Sequence, residues 1–179
     1  MKTAKRDREQ TLSLLIITGT MGAGKTAVLG EASDLLTQRR VVHAAVDLDA
    51  LGLAHLPVAS ANDGLMYQNL RSIYANYEGA GVRRFLLARA LEDESQLKLC
   101  RDIFPGAKTM VCRITASREV MEQRVSQRDS GVARNQYVSR VAELNVILDR
   151  ARLEHSLVIN ENRPLTEVAL EMLVKAGWL

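Results

Sequence analysis

One segment restricts the folds open to this chain more than any other. Leu12 to Thr18 is a nearly continuous apolar run, the pattern of a strand buried on both faces. It leads directly into Gly19-Thr20-Met21-Gly22-Ala23-Gly24-Lys25-Thr26, a Gly-x4-Gly-Lys-Thr spacing. Beyond it, Val28, Ala32, Leu35 and Leu36 share one face of a helix predicted from Lys25 to about Arg39. A buried strand, a glycine loop and an amphipathic helix in this order form the context of a phosphate-binding loop. Gly19, Gly22 and Gly24 allow backbone geometry that other residues resist. Their amides can then converge on phosphate oxygens at the helix N-terminus. Lys25 offers a point charge to β- and γ-phosphates, and Thr26 offers a hydroxyl to Mg²⁺. Met21, Ala23 and Ala27 belong to the same nucleotide-contacting stretch.

The rest of the sequence alternates strand and helix patterns. Strands are predicted at Val41–Val46, Val82–Ala88, Lys108–Thr115 and Ser156–Asn160. Helices are predicted at Leu65–Tyr77, Glu94–Phe104 and Arg134–Leu153, with another after the N-cap Ser117. Pro164 suits the first turn of a last helix and Gly177 suits its end. This alternation implies an α/β fold: a mainly parallel sheet of five strands with helices on both faces.

With 179 residues the chain suffices for one domain, read here as 11–179 after a flexible tail over residues 1–10. Lys and Arg total 24 against 21 Asp and Glu, an excess of +3 that gives no argument for a nucleic-acid partner. The longest apolar run, Leu14 to Ile17, is far too short to span a membrane. The first ten residues are charged and carry no secretory pattern. Cys100 and Cys112 make no disulfide framework and read as reduced core residues of a cytoplasmic protein.

Two further clusters suggest chemistry. Asp47 and Asp49 follow the second strand, where open α/β sheets place ligands. One carboxylate could hold Mg²⁺ through water, and the other could accept a proton from a substrate hydroxyl. Arg124 and Arg128 lie four residues apart on one helix face, with Gly131 and Arg134 just beyond. Guanidinium groups can bind and stabilise a transferring phosphoryl group. No Asn-Lys-x-Asp guanine motif occurs, which disfavours a GTPase, and the chain is too short for a typical AAA+ or transporter ATPase.

On these residues the chain resembles the small P-loop kinases of the nucleoside-monophosphate-kinase superfamily, nearest to the shikimate, gluconate, adenylylsulfate and chloramphenicol kinase type. The resemblance runs from Leu12 onward. It implies the P-loop NTPase fold with strand order 2-3-1-4-5, and an ATP- and Mg²⁺-dependent phosphotransferase acting on a small-molecule hydroxyl. In that group an Arg-x3-Arg element opens a lid over ATP, which matches Arg124 and Arg128 and sets a lid near 124–134. Their Asp-x-Asp forms the magnesium and substrate-base site, matching Asp47 and Asp49, with Thr26 and Asp47 toward the metal. Their adenine lies near the loop after the fifth strand, here Asn160 to Pro164, which brings in Arg163.

The third strand departs from a common pattern: it runs into Arg89 rather than an acid, and acids return only at Glu92, Asp93 and Glu94. Arg89 is therefore either an anchor for an anionic or hydroxylated substrate or a surface residue. The departure keeps open a nucleotide-binding regulatory or partner module without phosphoryl transfer. A nucleic-acid-end kinase is a third possibility, opposed by the small net charge. The acceptor is expected between Asp49 and Met66 and on the helix that follows, where His55, Asn62, Asp63, Tyr67, Asn69 and Arg71 offer hydrogen bonds. Leu51, Leu53, Leu56 and Met66 offer apolar walls there. A monomer and a homodimer are equally compatible with the sequence.

Overall fold

The central strand β1 (Ser13–Thr18) is buried from Leu14 onward because neighbours flank it on both edges. The computed structural model describes residues 11–54, 61–128 and 134–179, without the side chains at 61, 62 and 134. The expectations for residues 1–10, His55, Leu56, Gly131 and the side chains of Asn62 and Arg134 lie outside the described residues. So does the stretch of the expected lid from 129 to 133.

Five strands form one parallel sheet in the order β2-β3-β1-β4-β5, the arrangement expected. The elements run β1, α1 (Lys25–Gln38), β2 (Ala44–Asp47), α2 (Leu48–Leu51), α3 (Ala61–Gly79) and β3 (Arg84–Ala88). They continue as α4 (Glu94–Ile103), β4 (Lys108–Thr115), α5 (Arg118–Arg128), α6 (Arg134–Ala151), β5 (Ser156–Ile159) and α7 (Leu165–Lys175).

Period-two alternation along β1 divides the core. Leu14 and Ile16 face one side, against Leu48, Met66, Leu70, Phe85 and Phe104. Leu15 and Ile17 face the other, against Val28 and Leu36 of α1 and Met172 of α7. A continuous apolar strand thus supplies both layers. A third, smaller cluster joins Ala23 of the glycine loop to Met121 and Val125 of α5 and Val141 of α6.

Some boundaries differ from expectation. The second strand begins at Ala44, not Val41, because the chain is still closing α1: Arg40 has φ 55° and the Val41 amide donates to the Leu36 carbonyl. The one-turn helix α2 follows Asp47, which caps it by accepting from the Asp49 amide at 3.0 Å. Pro164 sits at the N-cap of α7, one position before its first turn, and Gly177 with φ 68° follows its end.

Both phenylalanines, Phe85 and Phe104, pack edge-to-face at 4.9 Å, and Tyr74 meets Phe104 at 4.7 Å. This trio fastens α3 and α4 to the sheet. Phe85→Ala is expected to cost about 3–5 kcal/mol in urea unfolding, through lost burial and an uncollapsed cavity. A loss under about 1 kcal/mol would contradict that packing.

Candidate active site

The glycine loop lies at the carboxyl end of the sheet, where β1 is flanked by β3 on one side and β4 on the other. This is the switch-point crevice in which open α/β sheets bind ligands. Close neighbours crowd all three loop glycines, Gly19 against the Ile114 carbonyl included. A Cβ at Gly22, where φ is 75°, would stand 2.3 Å from the Met121 carbonyl oxygen of α5. A Cβ at Gly24, where φ is 96°, would stand 2.3 Å from Nδ2 of Asn160. The loop is therefore held between α5 and the end of β5.

Asn160 fixes that wrapping. Its backbone amide donates to the Thr115 carbonyl at 2.7 Å and its side-chain amide donates to the Ala23 carbonyl at 2.9 Å. Thr20 donates to the Val141 carbonyl of α6 at 3.3 Å.

The N-terminus of α1 differs from those of α2 and α4. Asp47 caps α2 and Asp93 caps α4. The N-cap of α1 is Gly24, which provides no side-chain cap, and its first turn carries no acid. The first amides of a 14-residue helix thus keep their partial positive charge for an anion.

Lys25 stands at this helix end, half-buried, and its ammonium donates to the Thr20 carbonyl at 3.3 Å. Burial holds its pKa below the ordinary lysine value. Asp49 and Asp47 oppose that effect, while Arg128 and Arg89 add to it.

The two carboxylates are placed differently. Asp47 accepts from the Thr26 hydroxyl at 2.7 Å on one oxygen and from the Asp49 amide at 3.0 Å on the other. Asp49 lies on the wall of a cavity of about 460 Å³ together with Lys25. Met21, Gly22, Gly24, Thr26 and Ala27 line this cavity from the loop side, and Arg124, Val125 and Arg128 line it from α5.

The structure therefore brings together most of the residues singled out in the sequence. Gly19 and Ala23 lie beneath the cavity surface, with Gly19 against the Ile114 carbonyl and Ala23 fully buried. Arg163 is not on the cavity wall: it pairs with Glu171 and Glu167 of α7.

Arg124 donates to the Gly22 carbonyl at 3.3 Å and to the Asn160 carbonyl at 3.0 Å, so it fastens α5 to the loop. Glu161 steadies the start of α5 by accepting from the Ser117 amide at 2.7 Å and the Ser117 hydroxyl at 3.0 Å. From the sequence, Asn160 is the last residue of the fifth strand and the first of a candidate adenine loop, and Glu161 is not singled out. The available signal was a polar pair directly after the last strand.

The Thr26 hydroxyl and the Asp47 carboxylate are hard oxygen donors. Mg²⁺ is usually held by one or two such groups, with phosphates and water completing its shell. Among the described residues no three His, Cys, Asp or Glu side chains gather as a protein-only metal cage.

No protein-family model matches the sequence, and no curated protein matches it. Solved structures do. A gluconokinase from Sinorhizobium meliloti superposes with TM-score 0.64 at 16% identity, over 94% of each chain. A sugar kinase from a Janibacter species gives TM-score 0.63 at 14% identity, over 90% of this chain and 92% of the other. A shikimate kinase from Acinetobacter baumannii, solved with shikimate, gives 0.57 at 18% identity, over 94% and 96%. The fold is that of the small P-loop kinases.

Burying the Lys25 ammonium lowers its folded pKa, so at neutral pH the unliganded fold carries a cost for this charge. The cost is present in full below the lowered folded pKa and is relieved as pH rises toward 10.5. Lys25→Met is expected to raise the melting temperature of the unliganded protein at pH 7 by about 2–4 °C for each kcal/mol relieved. The gap between variant and wild type should narrow in alkaline buffer. A less stable variant at pH 7 would contradict the assigned cause.

Proposed function

We propose that the protein is an ATP- and Mg²⁺-dependent phosphotransferase that moves the γ-phosphate to a hydroxyl of a small molecule. One observation carries the reading. The Asp47 carboxylate is tied to the Thr26 hydroxyl of the glycine loop, while Asp49 opens onto the cavity that holds Lys25. This supports a division between a metal-side and a reaction-side carboxylate. The names of the similar structures, gluconokinase, sugar kinase and shikimate kinase, agree with it.

In this reading the loop amides and Lys25 hold the phosphates at the N-terminus of α1. Thr26 and Asp47 would hold Mg²⁺, which when bound would neutralise phosphate charge. Asp49 accepts the acceptor's hydroxyl proton as the oxygen–phosphorus bond forms and the bond to ADP breaks. Arg124 and Arg128 steady the transferring group from α5. Phosphoryl transfer demands mainly positioning and electrostatic stabilisation, which such an arrangement supplies.

We also place the protein in the cytoplasm, as a monomer or a homodimer. The free, buried Cys100 and Cys112 fit a reducing compartment. Among the described residues no helix is long and apolar enough to cross a membrane. Arg163, engaged with α7, would contribute to the adenine end only by leaving those partners.

A second reading, a nucleotide-binding regulator without transfer, is favoured by one feature. The third strand is followed by Arg89, whose guanidinium pairs with Asp49 at 2.8 Å.

Transfer of label from ATP to small hydroxylated compounds separates the two readings. Lys25→Ala is expected to reduce turnover by at least about a hundredfold. Asp49→Asn should lower kcat by about 10²–10⁴-fold with little change in the KM for ATP. Asp47→Asn should instead raise the Mg²⁺ concentration needed for half-maximal rate. Near-native kinetics in both aspartate variants would overturn the carboxylate roles. ATP binding without transfer to any compound would favour the regulator.

A further inference from the structure

Helices α5 and α6 grip the glycine loop at two points. Met121 of α5 sets its carbonyl against Gly22, and Val141 of α6 accepts the Thr20 hydroxyl on its carbonyl at 3.3 Å. The side chains of Met121 and Val141 are buried together with Ala23. Both residues also line a cavity of about 170 Å³ between the two helices, which the reaction proposed above does not use.

Helix spacing builds this cavity. Arg118 and Met121 lie one turn apart on α5. On α6, Val141 with Asn145 and Ala142 with Val146 follow the i, i+4 spacing of one face. Ala142 is the small residue of that face and leaves the space unfilled. The cavity leads from buried Met121 and Val141 to Val146, which is 47% exposed, so it opens to solvent.

Its two polar residues both present donors. The Arg113 guanidinium, only 6% exposed, can only donate, and its Nη2 reaches Oδ1 of Asn145 at 2.9 Å. That contact fixes the orientation of the Asn145 amide. The amide nitrogen spends one hydrogen on Asp149 at 3.3 Å and keeps the second. Arg118 gives Nε to Glu122 at 2.6 Å, and its terminal nitrogens have no acceptor among the described residues. No acid among the described residues lines the cavity.

An occupant must therefore bring acceptors to Arg118 and Asn145 and carbon to Met121, Val141, Ala142 and Val146. Size narrows it further, since a cavity of about 150 Å³ receives a ring of six carbons. A carboxylate with a short branched tail, of about six to eight heavy atoms, meets both conditions.

We propose that the cavity between α5 and α6 is an effector site for a short aliphatic carboxylate, and that its occupation strengthens nucleotide binding. This rests on nucleotide binding at the glycine loop and not on transfer. The carboxylate pairs with Arg118 at the mouth, and the tail lies on Met121 and Val141. The occupant thus bridges α5 to α6 in the arrangement that makes both loop contacts. The coupling is reciprocal, because one shared pair of residues touches both sites.

The test uses the full chain and calorimetric titration with isobutyrate, isovalerate and 4-methylpentanoate, and takes the tightest binder further with its amide as the neutral counterpart. Saturable one-to-one binding with a Kd of about 1 mM is expected. The amide should bind about tenfold more weakly or worse. The saturating carboxylate should tighten binding of a non-hydrolysable ATP analogue by about three- to tenfold, and the saturating analogue should tighten the carboxylate by the same factor. Arg118→Gln should weaken the carboxylate about tenfold or more, while analogue affinity measured without carboxylate stays within about twofold. Ala142→Leu should fill the cavity, so that analogue affinity no longer responds to the carboxylate.

Should Ala142→Leu fail to fold, Arg118→Gln carries the test, since that side chain is 64% exposed. Equal binding of carboxylate and amide, or undiminished binding in Arg118→Gln, would overturn the ligand class. Carboxylate that binds without changing analogue affinity would overturn the effector role. Competition between carboxylate and analogue would place the carboxylate at the glycine loop and overturn the site. Analogue binding with no saturable binding of any of the three carboxylates would overturn this proposal alone. An analogue that binds under no condition would overturn the nucleotide reading and the coupling with it.

Discussion

The rest of the site depends on one uncapped helix end. A 14-residue helix presents its first amides without a side-chain cap, and a lysine stands in its first turn. Both features are unfavourable in the absence of an anion: no side chain among the described residues caps the amides, and the ammonium is held in a partly dry place. The surrounding structure enforces them. Met121 and Asn160 leave no room for a side chain at Gly22 or Gly24, and Ala23 is packed into the cluster between the loop, α5 and α6. Tertiary packing therefore fixes the loop and the helix end together.

The charges around that helix end are graded across the sheet. On the α5 side, Arg124 and Arg128 face the cavity. On the β2 side, Asp47 is committed to Thr26 and Asp49 to Arg89. The sheet itself fixes the order, since Asp47 ends β2, Arg89 follows β3 and Lys25 follows β1. A carboxylate, a guanidinium and an ammonium are thus set at neighbouring strand ends, where rigid elements hold them better than loops would. Arg140 extends this order by pairing with both oxygens of Glu92 at 2.9 and 2.8 Å, which ties the chain after β3 to α6.

Much of this was legible in the sequence because it is local. The Gly-x4-Gly-Lys-Thr spacing, the double-sided burial of Leu14 to Ile17 and the strand Lys108–Thr115 each depend on residues a few positions apart. The one-turn helix α2 was not legible, because four residues carry no periodicity. The role of Asn160 was not legible either, since its partner Ala23 lies 137 residues away. Arg89 could be marked as odd at a strand end, but its partners lie 40 and 26 residues before it. Only the strand order brings these groups to one edge. Arg163 shows the opposite case: its place after β5 suggested the nucleotide, while the fold pairs it with α7.

The most direct test of the division of labour between the two aspartates is a crystal structure with Mg²⁺ and a non-hydrolysable ATP analogue. The β-phosphate is expected within the loop from Gly19 to Thr26, Mg²⁺ on the Thr26 hydroxyl with Asp47 beside it, and the γ-phosphate between Lys25 and Asp49. Nucleotide bound away from the N-terminus of α1, or Mg²⁺ held by Asp49 with Asp47 turned away, would contradict it.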